Sequence, residues 1–225
     1  MNATAKSSST VNVFLVDDHA IVRDGLRLLV ESQDDMKVCG EAECPEEALR
    51  RIGRADANLL VADLKYNNGS GMEFIRELKA RYPEVRVLVL SMHEESAYAE
   101  RTLRAGASGY VMKSGLRGTL LEAIREIMDG RIYLSERMKD MIVRRSASGV
   151  VDPPGSGVDD LSNRELEVFD LLGSGASSRE VADQLEVSVR TVHTHRERIK
   201  QKLGLANSAE LMQRAVAWVL KSDVQ

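Results

Sequence analysis

Three aspartates, a serine and a lysine fall where apolar, strand-like runs end. Asp17 and Asp18 follow the run 11–16, Asp63 follows 59–62, Ser91 follows 85–90, and Lys113 follows 109–112. In a parallel sheet all strand C-termini open on one edge, where ligands bind, so these residues are expected in one pocket. Three carboxylates cannot ionise side by side without a cation, and hard oxygen donors point to a divalent ion, Mg²⁺ before others. An aspartate at the end of the central strand can take a phosphoryl group, because such an ion neutralises charge and orients the donor for in-line attack. Asp63 holds that position. Asp17 and Asp18 would hold the ion, Lys113 would meet a phosphoryl oxygen as a point charge, and Ser91 would offer its hydroxyl to another. Each residue alone has an ordinary explanation, since a strand-end aspartate is often a helix cap and a strand-end lysine is usually solvated. Together, at four separate strand ends, they make a site.

The elements that must position them can be read from the punctuation of the chain. Short apolar strands are expected over 11–16, 37–43, 58–62, 85–90 and 108–112, with helical periodicity over 21–30, 45–52, 72–81, 96–105 and 116–129. Pro45 suits a first helical turn, and Gly106 and Gly130 suit helix exits. Strands and helices alternating in this way predict an α/β, flavodoxin-like doubly wound sheet of five parallel strands, order 2-1-3-4-5. A further helix is expected over 136–145. The stretch 146–160 carries Gly149, Pro153, Pro154, Gly155 and Gly157 and reads as a flexible linker. Beyond it lie four short helices, over 164–172, 178–185, 189–203 and 209–220, the first opened by a capping box of Ser162 and Glu165. The division is therefore a flexible tail over 1–10, an α/β domain over 11–130, a helix and linker over 131–158, and an all-α domain over 159–225.

Composition bounds the class. With 225 residues, 43% hydrophobic and 29% charged, the chain suits two modest globular domains. No apolar run approaches the ~20 residues that span a bilayer, and the Ser/Thr-rich start lacks the apolar core of a signal peptide. Two cysteines, Cys39 and Cys44, make no disulfide framework and fit a reducing cytoplasm.

Val16-Asp17-Asp18-His19, Asp63 followed by Gly71, Leu90-Ser91-Met92-His93, and the run from Gly106 to Lys113 resemble the receiver domain of bacterial two-component response regulators. The resemblance implies that Asp63 is the phosphoacceptor, Asp17 and Asp18 the acidic pair, Ser91 the switch hydroxyl and Lys113 the phosphate-binding lysine. It also implies that Tyr110 is the aromatic switch residue and that the backbone carbonyl of Lys65 is a metal ligand. The chain departs from the family by lacking Met-Pro after the phosphoacceptor: it reads Asp63-Leu64-Lys65-Tyr66-Asn67-Asn68-Gly69. The missing proline is expected to loosen that loop.

The all-α part resembles the LuxR-type helix-turn-helix of the NarL/FixJ regulators, on the text 161–168, 175–182, 187–195 and 199–204. At 100° per residue, Val192, Ile199 and Leu203 share the core face of helix 189–203, with His195 at its margin as a packing residue. Arg190, Thr194, Glu197, Arg198 and Gln201 point the other way, with His193 at the flank, and would enter the major groove. Arg190, Arg196, Arg198, Lys200 and Lys202 form a basic stripe for phosphates. The domain as a whole is not basic: residues 159–225 hold nine basic and eleven acidic side chains.

These features imply a cytoplasmic regulator of transcription, not an enzyme. A sensor histidine kinase would phosphorylate Asp63, and the protein would bind double-stranded DNA, as a homodimer on DNA or when phosphorylated. Two other functions remain open to the same residues. One is a DNA-binding regulator independent of phosphorylation. The other is a metal-dependent phosphohydrolase working through an aspartyl phosphate, although no substrate-gripping lid or second acid-base residue accompanies Asp63.

Overall fold

The computed structural model describes residues 10–66, 69–92, 95–148 and 158–223. The tail expected over 1–10, apart from Thr10, and the linker expected around 149–157 lie outside the described residues. The chain divides into two compact units, Met1–Lys139 and Asp140–Gln225.

The first unit is built on β1 (Val11–Val16), β2 (Met36–Ala42), β3 (Leu59–Asp63), β6 (Arg86–Ser91) and β7 (Gly109–Met112), all parallel, in the order β2-β1-β3-β6-β7. This is the expected 2-1-3-4-5 sheet. Successive side chains of a strand face opposite sides. Val11, Val13, Leu15, Leu59, Val61, Leu88, Leu90 and Val111 form one core with Leu26 and Val30 of α1 (Ala20–Glu31) and Leu120, Ala123, Ile124 and Ile127 of α5 (Leu116–Met128). Phe14, Leu60, Ala62, Val87, Val89 and Tyr110 take the alternate positions and are likewise buried. That leaves the other face to α2 (Pro45–Arg51), α3 (Gly71–Arg81) and α4 (Glu95–Arg104). Because both faces are covered, the strands are almost continuously apolar.

Two features were not expected. Lys65–Tyr66 (β4) and Gly69–Ser70 (β5) pair antiparallel, Lys65 with Ser70 and Tyr66 with Gly69. The segment expected as a proline-free, loosened loop thus carries a short ladder, with Asn67 and Asn68 outside the described residues. Gly71 closes it: its N–H donates to the Leu64 carbonyl at 3.1 Å, and a Cβ there would lie 2.5 Å from that oxygen. Only glycine allows α3 to start so close to the site. The unit also runs past 130. Tyr133 bridges Gly109 on the edge strand, Tyr110 N–H donates to the Tyr133 carbonyl at 3.0 Å, and Leu134 and Met138 are buried. The next helix, α6, spans Glu136–Ser148.

The second unit holds α7 (Asn163–Gly173), α8 (Ser178–Gln184), α9 (Val189–Leu203) and α10 (Ser208–Asp223), close to the expected bounds. Serines start three of them. Ser162 and Ser177 each form a capping box with a glutamate three residues on, Glu165 and Glu180, and the Ser188 side chain accepts from Thr191 N–H. Gly204 ends α9 at φ 65°, a left-handed exit that glycine takes without strain. Leu166, Phe169, Leu172, Val181, Val192, Ile199, Leu211 and Ala215 make the core. Among the described residues no helix is long and apolar enough to cross a membrane.

Candidate functional site

Parallel strands of matched length deliver their last residues to one edge. Asp63 is the final residue of central β3 and pairs in register with Leu90, so Ser91 ends the neighbouring strand one residue further on. Asp17 and Asp18 follow β1 directly, and Lys113 follows β7. The ammonium of Lys113 lies 2.6 Å from Asp17 Oδ2 and 2.6 Å from Asp63 Oδ2. Asp17 is 1% exposed, Asp63 8% and Ser91 0%. Burial alone would lower the lysine pKa, but the charge of Asp63 and hydrogen bonds to both aspartates outweigh it and hold the pKa above its ordinary value. Lys113 is therefore fully charged at neutral pH and offsets two buried carboxylates.

Asp18 sits at the mouth, its side chain 21% exposed. One oxygen each from Asp17 and Asp18 and a ring nitrogen of His19 lie within 4.8 Å of one another. This paired-carboxylate donor set at the rim suits a small hard cation. His19, 66% exposed at its side chain, places Nδ1 2.6 Å from Asp18 Oδ1, and its backbone N–H donates to Asp17 Oδ1 at 2.9 Å. Tyr110 is buried on β7, opposite Val89 in the ladder. Lys65 begins the short ribbon two residues past Asp63.

In the second unit, α8 and α9 are joined by a tight turn at Leu185–Ser188 in which Glu186 takes a left-handed φ of 51°. The Arg164 guanidinium donates to the Leu185 carbonyl and pairs with Glu167 at 2.7 Å, pinning the turn to α7. Val192 and Ile199 are fully buried; His195 and Leu203 are half-buried. Burial pushes the His195 imidazole below its usual pKa. Arg190, His193, Thr194, Glu197, Arg198 and Gln201 are all exposed, on one continuous side of α9. The expected phosphate stripe is less uniform. Arg196 donates to the Ser178 hydroxyl at 2.6 Å, Lys200 pairs with Glu197 at 3.0 Å, and Lys202 reaches buried Glu165 at 2.7 Å and the Asp160 carbonyl at 3.1 Å. Arg196, Lys200 and Lys202 are thus all paired within the unit.

Sequence reading finds Glu165 only as a helix cap and His19 only as part of a motif, and it passes over Arg23. Arg23, on α1, donates to the Asp17 carbonyl at 2.5 Å. Its position four residues after His19 on an amphipathic helix is the one available signal, and that signal names a face, not a partner.

Residues 13–125 match the response regulator receiver domain, and residues 159–215 match the bacterial regulatory proteins of the luxR family. The oxygen regulatory protein NreC of Staphylococcus carnosus is 32% identical over 210 residues, covering 92% of this chain and 97% of NreC. Among solved structures, the Salmonella typhimurium response regulator RcsB is similar with a TM-score of 0.65 at 26% identity, over 93% of this chain and 98% of that one. A LuxR-family two-component response regulator from Aurantimonas sp. SI85-9A1 is 36% identical with a TM-score of 0.57, over 62% of this chain and 99% of that one. A receiver domain with its acids and lysine gathered at one sheet edge, followed by a LuxR-type helix-turn-helix, makes this chain a member of the NarL/FixJ family of two-component response regulators, a DNA-binding regulator of transcription.

Proposed function

We propose that Asp63 is the phosphoacceptor and that a sensor histidine kinase supplies the phosphoryl group. The observation that carries this reading is the single ammonium of Lys113 held 2.6 Å from both Asp17 and Asp63. Asp17, Asp18, Asp63 and the Lys65 carbonyl are the groups to hold Mg²⁺, which when bound offsets the charge of the carboxylates and of the incoming phosphoryl group. An Asp63 oxygen attacks phosphorus in line. The oxygen–phosphorus bond forms as the phosphorus–nitrogen bond of a kinase phosphohistidine breaks, and the freed imidazole keeps the electron pair. Lys113 then exchanges a carboxylate for a phosphoryl oxygen, and the Ser91 hydroxyl donates to another. Tyr110, on the adjacent strand, carries the change to α4, β7 and α5.

The output is DNA binding by α9. Arg190, His193, Thr194, Glu197, Arg198 and Gln201 face the major groove, and the protein acts in the cytoplasm as a homodimer on paired half-sites. RcsB supports this reading: it has been solved bound to the promoter rprA in the presence of the phosphomimetic BeF₃⁻, and as two dimers bound to two parallel DNAs.

Intact-mass spectrometry tests the site. With Mg²⁺ and acetyl phosphate, the wild-type protein gains one phosphoryl group, and Asp63→Asn gains none. Chelating Mg²⁺ abolishes labelling. Equal labelling of the two proteins contradicts the assignment, and repeated release of phosphate from excess donor would indicate a phosphohydrolase instead.

A further inference from the structure

Arg23 is 9% exposed, on the buried face of α1 that it shares with Leu26 and Val30, an unusual depth for a guanidinium. Burying such a group is costly unless its donors are satisfied. Here they join the turn that carries the acidic pair to two glutamates around the end of β2. Nη1 donates to the backbone carbonyl of Asp17 at 2.5 Å, Nη2 to Glu43 Oε1 at 2.8 Å, and Nε lies 3.7 Å from Glu41 Oε2. The Asp17 N–H donates in turn to the Ala42 carbonyl at 3.3 Å. One side chain therefore clamps the start of the acidic turn to the end of β2.

The choice of atom matters. Arg23 takes the Asp17 carbonyl and leaves the carboxylate to Lys113 and to the rim shared with Asp18. We propose that Arg23 is a positioning residue for the cation site: by holding the Asp17 main chain, it keeps the Asp17 and Asp18 carboxylates together at the pocket mouth. The proposal rests on reading those two residues as Mg²⁺ ligands. Partners that orient metal ligands from behind commonly contribute about ten- to a hundredfold to metal affinity.

The test uses the full-length protein and Mg²⁺ alone, titrated by calorimetry. Arg23→Ala should bind Mg²⁺ about tenfold or more weakly than wild type. Arg23→Lys keeps a charge and a donor but cannot bridge Asp17 and Glu43 together, and should fall between the two. Arg27→Ala should bind like wild type, because Arg27 pairs with Glu41 at 2.5 Å and makes no contact with the acidic turn. A second readout separates positioning from simple destabilisation. In acetyl phosphate labelling, Arg23→Ala should need correspondingly more Mg²⁺ for half-maximal rate yet approach the wild-type rate at saturating Mg²⁺. Loss of folded protein would instead lower the rate at every Mg²⁺ concentration. Wild-type Mg²⁺ affinity in Arg23→Ala, or in Arg23→Lys should the alanine variant not fold, overturns the proposal. Wild-type protein that binds no Mg²⁺ overturns the cation-site reading beneath it, so the two failures are distinct.

Discussion

At the scale of single residues, Lys113 does two jobs that pull apart under mutation. Its ammonium is the counter-charge for two buried carboxylates and, in the proposed reaction, the grip on a phosphoryl oxygen. Removing one partner of a buried ionic group strands the others without compensation. Lys113→Ala should therefore lower stability by about 2–3 kcal/mol in Mg²⁺-free buffer, and millimolar Mg²⁺ should restore part of it, as measured by urea unfolding. Because the folded pKa of Lys113 is raised, its contribution is complete below the ordinary lysine pKa and is lost only as pH rises through the folded value. The difference between wild type and variant should therefore stay constant across neutral pH and shrink only under strongly alkaline conditions. A difference that varies between about pH 6 and 8 would mean that another group dominates. Asp17, Asp63, Ser91 and Lys113 are legible in the sequence because each sits at the end of an apolar run, and the sheet alone brings run ends together. Arg23 and His19 are not, because their partners are a backbone carbonyl and a neighbouring carboxylate that helix periodicity cannot specify.

At the scale of elements, the packing of α9 sorts its basic residues more sharply than its helical wheel does. A wheel gives angle but not reach, and the long side chain of Lys202 turns back to Glu165, 37 positions earlier in the chain. Glu165 is 3% exposed. Burial would raise its pKa, yet the hydrogen bond from Lys202 and those from Ser162 outweigh it and hold the carboxyl below its ordinary value. That contribution is complete above the usual glutamate pKa and is lost as pH falls through the lower folded value. Lys202→Ala should cost about 1–2 kcal/mol of stability, and acid unfolding of the second unit should move to higher pH. Its effect on the salt dependence of DNA binding should be small, whereas replacing the exposed Arg190 with Ala should flatten that dependence by about one phosphate contact. Equal flattening by both variants would show that Lys202 leaves Glu165 to meet DNA. The same limit of pattern reading hides the β4–β5 ribbon. Asparagine and glycine around 67–69 announce a turn, but two residues on each side are too few to show strand alternation.

At the scale of the whole molecule, the two units are legible as separate domains because their periodicities differ, one alternating strand and helix and the other helical throughout. What composition cannot convey is where the first unit stops. Tyr133 bridges the edge strand beyond the glycine that looks like an exit, and Leu134 and Met138 after it are buried; the Tyr133 contact depends on β7 already being in place. The proposed function joins the units: phosphorylation of Asp63 would shift a population of molecules toward a state that binds DNA as a dimer. A phosphoryl group can shift that equilibrium only through contacts that differ between the states, and in the proposed switch Ser91, Lys113 and Tyr110 would make them. The most direct measurement is the affinity of the full-length protein for a selected DNA site, with and without acetyl phosphate and Mg²⁺, in wild type and Asp63→Asn. Wild-type affinity should rise about tenfold or more on phosphorylation, a coupling of about 1–3 kcal/mol, and Asp63→Asn should not respond. A wild-type protein that is fully phosphorylated by mass yet binds DNA with unchanged affinity would contradict the account.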